Sequence, residues 1–107
     1  MKVSFRLSKL AQEDIALIHD YTVAEWGEEQ AMLYISGILD ALEEIKSAPE
    51  RWRLRRDIYP GCRARVCGHH LIIYRVRDGI VEFSRILHGA MDHSDHVPPN
   101  FMGHGEE

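Results

Sequence analysis

Cysteine and lysine are scarce in this sequence, and long apolar runs are missing. Among 107 residues there are two cysteines, Cys62 and Cys67, too few for a disulfide framework and without a second pair to complete a zinc site. Reduced, structurally incidental thiols are expected, as in a cytosolic compartment. No stretch approaches the roughly 20 apolar residues that span a bilayer. The opening "MKVSFRLSKLAQED" turns polar and acidic at once, unlike a signal peptide. These absences lead to the expectation of a soluble cytoplasmic protein that has no membrane contact and binds no cofactor. The net charge of −4 disfavours a protein whose main work is gripping long nucleic acid through phosphates.

The charge that is present is uneven. Acidic residues gather in the first half, in "EEQ" and "DALEEIKSAPE", whereas Arg51, Arg53, Arg55, Arg56, Arg63 and Arg65 crowd the middle. Lysine occurs only at Lys2, Lys9 and Lys46, so the positive charge rests on arginine, which suits bidentate pairing with carboxylates or phosphates. A polarised molecule with an acidic partner follows.

Along the chain, "KVSFRLS" alternates as a half-buried strand does, with Val3, Phe5 and Leu7 on one face. Ser8 is a good N-cap for a helix carrying Leu10, Ala11, Ile15, Ile18 and Tyr21 on one side, with Glu13 and Asp14 near its positive end. Gly27 ends it after Glu25 or Trp26. A second stripe, Ala31, Tyr34, Ile35, Ile38, Leu42 and Ile45, runs until Pro49 stops it. The tight turn makes the two helices an antiparallel hairpin, with Tyr21, Trp26 and Tyr34 in its core and Gly37 marking a close crossing. Residues 51–61 form a basic loop containing Trp52 and ending at Pro60-Gly61.

"CRARV" is a short strand, and "HLIIYRVR" and "IVEFSRIL" flank Asp78-Gly79, the strongest short hairpin signal. Counting outward pairs Arg77 with Ile80, Val76 with Val81, Arg75 with Glu82, Tyr74 with Phe83 and Ile72 with Arg85. Both faces of this hairpin are apolar enough to need cover. The fold class is therefore α+β, in the order β-α-α-β-β-β, with a helical hairpin packed on a small antiparallel sheet. Residues 1–96 make one domain and residues 97–107 a flexible tail.

Two kinds of chemistry are open to this residue set. Metal-free RNA cleavage needs a proton-transfer group and cations around the phosphate; His88 with Arg65, Arg75 and Arg85 supplies the types. The alternative is structural, with Arg85 paired to a carboxylate and His88 closing a strand end. In the tail, Phe101 alone could stack a base, and His93, His96 and His104 lack the companions of a metal site, so no metal is expected. The Arg51–Arg56 loop with Trp52 has the composition of a binding hot spot.

The run "LSKLAQEDIALIHDYTVAEWGEEQA", then Pro49, "GCRARV", "LIIYRV" and "RILHGAMD" resembles the ParE branch of the ParE/RelE toxin superfamily over about positions 3–96. Positions that carry the likeness include Leu7, Ser8, Asp14, Trp26, Gly27, Arg63, Tyr74, Arg75, His88 and Asp92. Where relatives follow the proline with glycine and arginine, this chain reads Glu50-Arg51-Trp52.

The resemblance implies a helical hairpin against a sheet, and a toxin that poisons DNA gyrase by binding it. It also implies neutralisation by a ParD-type antitoxin in a toxin–antitoxin hetero-oligomer. RelE-like members are instead ribosome-dependent mRNA endonucleases, and that alternative would use His88, Arg65 and Arg85. The acidic, lysine-poor composition and "YTVAEWGEE" place the chain on the ParE side, with no catalytic residues and no direct sequence-specific nucleic-acid binding. Arg53, Arg55, Arg56, Arg65, Arg75 and Arg85 are the candidate partner-binding residues, on charge alone.

Overall fold

In the computed structural model, which describes residues 4–89, the chain runs β1 (Ser4–Leu7), α1 (Lys9–Trp26), α2 (Glu28–Ser47), a 3-10 turn (Pro49–Arg51), β2 (Cys62–Cys67), β3 (His70–Arg77) and β4 (Ile80–His88). The expected tail, with Phe101 and His104, lies outside the described residues, and so do His93, His96 and the Asp92 of the family pattern. Ser8 caps α1 as expected. Its backbone is extended and its hydroxyl accepts from the Ala11 N–H at 3.0 Å. The same hydroxyl donates to the Ser84 carbonyl at 2.7 Å, tying the helix start to β4. Gly27, at φ +94°, makes the break between the helices.

The helical hairpin on a small sheet is present, with strands in the order β1-β4-β3-β2. Strands β2, β3 and β4 are antiparallel, while β1 lies parallel to β4, Ser4 opposite Ile80 through Leu7 opposite Phe83. The sheet is thus mixed. The helical hairpin provides the long crossover that a parallel neighbour requires.

The Asp78-Gly79 turn, both residues at positive φ, sets the hairpin register as counted as far as Tyr74 opposite Phe83. There the ladder slips: Arg85 faces Ile73 and Ile86 faces Ile72. The expected Ile72–Arg85 pair is therefore incorrect, because Ser84 is the extra residue of a β-bulge. Its hydroxyl donates to the Ile73 carbonyl at 2.9 Å. One consequence is that Ile86, not Arg85, takes the place under the helices.

Both sheet faces are covered. Ile72, Tyr74, Val81, Phe83 and Ile86 pack against Ile18, Ile38, Leu42 and Ile45 of the helices. On the reverse face Leu71, Ile73 and Leu87 pack with Cys62, Ile58 and Tyr59. Each such side chain contributes about 1.5–3 kcal/mol on burial. The loop that supplies Ile58 and Tyr59 is anchored on β2 by a Leu54–Arg63 bridge and by the Arg55 N–H, which donates to the Cys62 carbonyl at 2.7 Å. Burial pushes the Cys62 thiol up to about 11, which suits the incidental role expected of it.

Two expectations about the helices are overturned. Tyr21 and Trp26 are not in the hairpin core; they are 66% and 70% exposed. The buried line of α1 is Ala11, Asp14, Ile18 and Thr22, which leaves Tyr21 on a flank and Trp26 at the open end. Nor does Gly37 mark a close crossing, since a Cβ there would meet nothing within 4 Å. The tight approach is at Gly68, at φ +60°, where a Cβ would lie 2.7 Å from the Tyr34 hydroxyl. No helix among the described residues is long and apolar enough to cross a membrane.

Candidate partner-binding surface

The six candidate arginines divide by what holds them. Arg85 sits at the bulge and reaches α1, where Nε and Nη2 each donate to the Asp14 carboxylate at 2.8 Å, and the Ile86 N–H joins at 2.9 Å. Asp14 raises the Arg85 pKa further. Arg75, on the reverse face, donates to Glu82 at 2.8 Å and lies over the Tyr59 ring. Arg65, on the helix-facing side, pairs with Glu44 of α2 and stacks on Trp52. Its Nε is buried and, among the described residues, meets no hydrogen-bond acceptor. Arg55 is chelated by Asp57 through two hydrogen bonds of 2.8–2.9 Å. Arg53 and Arg56 are exposed, and among the described residues neither meets a carboxylate.

The cations proposed for RNA cleavage do not converge. Arg65 and Arg75 lie on opposite faces of the sheet, because alternate residues of a strand point opposite ways. Arg65 on β2 and Arg85 on β4 are separated by the whole of β3, about 10 Å across the sheet. Sequence reasoning missed the clamp on the basic loop: Arg63 donates to the Trp52 carbonyl at 2.7 Å, and Tyr74, its hydroxyl pushed up to about 12 by burial, donates to the Pro49 carbonyl. This clamp presents Arg51 to Arg56 at one corner of the molecule.

His88 lies at the opposite end. It borders a cleft of about 630 Å³ between the tip of the helical hairpin and the β3 and β4 ends, lined by Tyr21, Thr22, Trp26, Gln30, Tyr34, His69, His70 and His88. The Tyr34 hydroxyl accepts from the His69 N–H at 2.9 Å and lies 2.6 Å from His70 Nδ1. Its own proton can go to the Cys67 carbonyl at 3.4 Å or to His70 Nδ1. The His70 and His88 rings meet edge to face, centroids 5.6 Å apart. The cleft was not foreseen, although an aromatic residue one place before the helix-breaking glycine was a visible signal.

Burial pushes His70 below the ordinary imidazole value of 6.5; His88 and His69 act the same way, and Asp14 opposes them. The unfolded chain then takes up this proton before the folded one does. The stability that neutral His70 contributes is full above pH 6.5 and is lost as pH falls below it. Urea unfolding at pH 8 and pH 5.5 should show a smaller acid loss for His70→Gln than for the parent chain. An unchanged difference would refute this assignment.

The family described as "ParE toxin of type II toxin-antitoxin system, parDE" matches residues 5–93. The chain is 33% identical over 93 residues to Toxin ParE1 of Mycobacterium tuberculosis, covering 86% of this chain and 95% of that protein. It is 33% identical over 94 residues to Toxin ParE1 of Caulobacter vibrioides, covering 87% and 96%. Among solved structures, the chromosomal ParDE toxin–antitoxin system of P. aeruginosa superposes with a TM-score of 0.73 at 20% identity, over 80% of this chain and 95% of the other. The RelBE2 toxin–antitoxin complex of Mycobacterium tuberculosis superposes at 0.58 and 18% identity, over 82% and 99%. At such identities the two structures speak for the fold.

Proposed function

This chain belongs to the ParE toxin family of type II toxin–antitoxin systems, and from that premise we propose that it disables DNA gyrase by binding it, with no bond-breaking of its own. A ParD-type antitoxin neutralises it in a hetero-oligomer. The observation that carries the binding reading is the dispersal of the cations: Arg65, Arg75 and Arg85 are each committed to a carboxylate of their own chain, on different faces and elements. A nuclease centre needs them converged on one phosphate.

Arg53, Arg55 and Arg56 are the arginines best placed for an acidic antitoxin segment that folds on binding. They sit on a corner stiffened by Trp52, Arg63 and Tyr74, which lowers the ordering cost of association. Arg65, Arg75 and Arg85 serve the same surface indirectly by holding β2, β3 and β4 in place. Replacing Arg53, Arg55 and Arg56 together by alanine should weaken the antitoxin complex by about tenfold at low salt, the size of two or three exposed ion pairs, and by less at high salt. Calorimetric titration that finds equal affinity for both chains would refute this role.

Purified protein added to gyrase and supercoiled plasmid should yield linear DNA, while translating ribosomes keep their messenger intact. Cut messenger with gyrase untouched would establish the endonuclease reading instead. His88→Ala should retain gyrase inhibition, since binding requires no proton transfer. A folded variant that loses about 100-fold or more, as on removal of a general acid or base, would contradict this.

A further inference from the structure

The charge of the chain is segregated by layer, beyond the basic corner already described. From Leu10 to Ile45 there is no lysine or arginine, while nine aspartates and glutamates occur. Three of these are compensated across the fold or along the helix: Asp14 by Arg85, Glu44 by Arg65 and Glu43 by Lys46. Around the hairpin tip the balance is different. Glu25, Glu28 and Glu29 are exposed, and among the described residues no cation pairs with them. Glu25 follows Tyr21 by four residues, and so shares its helix face; Glu29 stands beside Gln30.

These carboxylates stand on the same helical turns as the cleft walls. Trp26 and Tyr21 expose most of their surface there, presenting aromatic faces to a concavity of about 630 Å³. An aromatic face attracts a cation through its quadrupole, most strongly for tryptophan. Among the described residues that line it there is no arginine or lysine to oppose one, and the half-buried His70 has its pKa lowered by burial. Among the described residues a phosphate-bearing ligand would meet three carboxylates and no arginine or lysine here, so nucleic acid is disfavoured at this end.

We propose that the cleft at the hairpin tip is a second docking surface, which receives an arginine or lysine side chain from a basic segment of a partner protein, seated against Trp26 and Tyr21 within the rim of Glu25, Glu28 and Glu29. The chain then has two faces of opposite polarity, a basic corner for an acidic segment and an acidic, aromatic tip for a basic one. The two surfaces are at opposite ends of the molecule, so one partner can hold the first while another holds the second.

The test uses the full chain, labelled with nitrogen-15, titrated with three capped tripeptides: Arg-Leu-Arg, Glu-Leu-Glu and Ala-Leu-Ala. Saturable shifts of the Trp26 indole and the Gln30 amide are expected with the first peptide only. The Glu25→Gln, Glu28→Gln, Glu29→Gln triple variant should bind it about tenfold more weakly, as should Trp26→Ala. Both variants change exposed residues, and circular dichroism will show their helices retained. The proposal is overturned if the neutral or acidic peptide binds as well, if the shifts fall away from the cleft, or if the triple variant binds undiminished. It is equally overturned if Trp26 shifts with protein concentration alone and Arg-Leu-Arg fails to reverse this, since the cleft would then be a contact between copies of the chain.

Discussion

Replacing Asp14 by alanine should lower the unfolding free energy by about 3–5 kcal/mol, the cost of leaving one member of a buried ion pair without its partner. Asp14 is 7% exposed, and its carboxylate receives both arms of Arg85 and the Ile86 N–H. The variant therefore removes at one point the carboxylate to which two guanidinium nitrogens and a backbone N–H donate. A domain of this size has about 5–15 kcal/mol in hand, so much of it would be spent at one position. Asp14→Asn should cost less, because an amide oxygen can still accept from Ile86. Asp14→Ala combined with Arg85→Met should recover a large part of the loss, because both charges leave together. Urea denaturation followed by circular dichroism measures all three. A single-variant loss below about 1 kcal/mol, the range of surface pairs, would show that the pair is solvated, and strict additivity in the double variant would deny the coupling.

The Asp14–Arg85 bond also marks how far the sequence could be read. Helix and strand identities were visible because Ala31, Ile38, Leu42 and Ile45 repeat at helical spacing, and because Asp78-Gly79 is a local turn signal that fixes the register of its neighbours. Ser8 was visible as a cap for the same local reason. The bulge at Ser84 was not, since its cause is non-local: Ser8 and Tyr59, both distant in sequence, meet Ser84 there. From the bulge onward every side chain of β4 changes face relative to a simple count, and so Arg85 was assigned a wrong neighbour in Ile72.

The exposure of Tyr21 and Trp26 was hidden by a related ambiguity. Ile15, Ile18 and Tyr21 share a plausible stripe, but the buried line of α1 runs through Ala11, Asp14, Ile18 and Thr22, and Tyr21 falls to its side near the end of the helix. As for the arginines, composition showed an excess of cations on β2 to β4 and the loop before them. Which of them stay exposed depends on where Asp14, Glu44, Asp57 and Glu82 fall in three dimensions.

Glu82→Ala is expected to be comparably costly, at about 3–5 kcal/mol, for a reason of its own. Glu82 is 2% exposed and lies among Arg75 at 2.8 Å, Arg77 at 3.5 Å and Arg6 at 3.9 Å. This carboxylate is thus a partner shared by three guanidiniums that β1 and β3 bring to β4. Its removal takes the shared partner from all three, with Arg75 the most affected because only 15% of its side chain is exposed. The partners should therefore rank by burial. Arg75→Ala should cost about 2 kcal/mol through the hydrogen bond to a charged group, whereas Arg77→Ala and Arg6→Ala, whose side chains are 46% and 38% exposed, should each cost under about 1 kcal/mol. Because β1 enters the sheet only through β4, loss of Glu82 should also loosen β1 first, seen as faster amide exchange at Phe5 and Arg6 than at Ile72 or Ile73. Equal costs for all three arginines would mean that the cluster acts through net charge alone. Unchanged exchange at Phe5 in the Glu82 variant would mean that apolar packing of Phe5 on Phe83, rings 6.4 Å apart, is what holds the parallel strand in place.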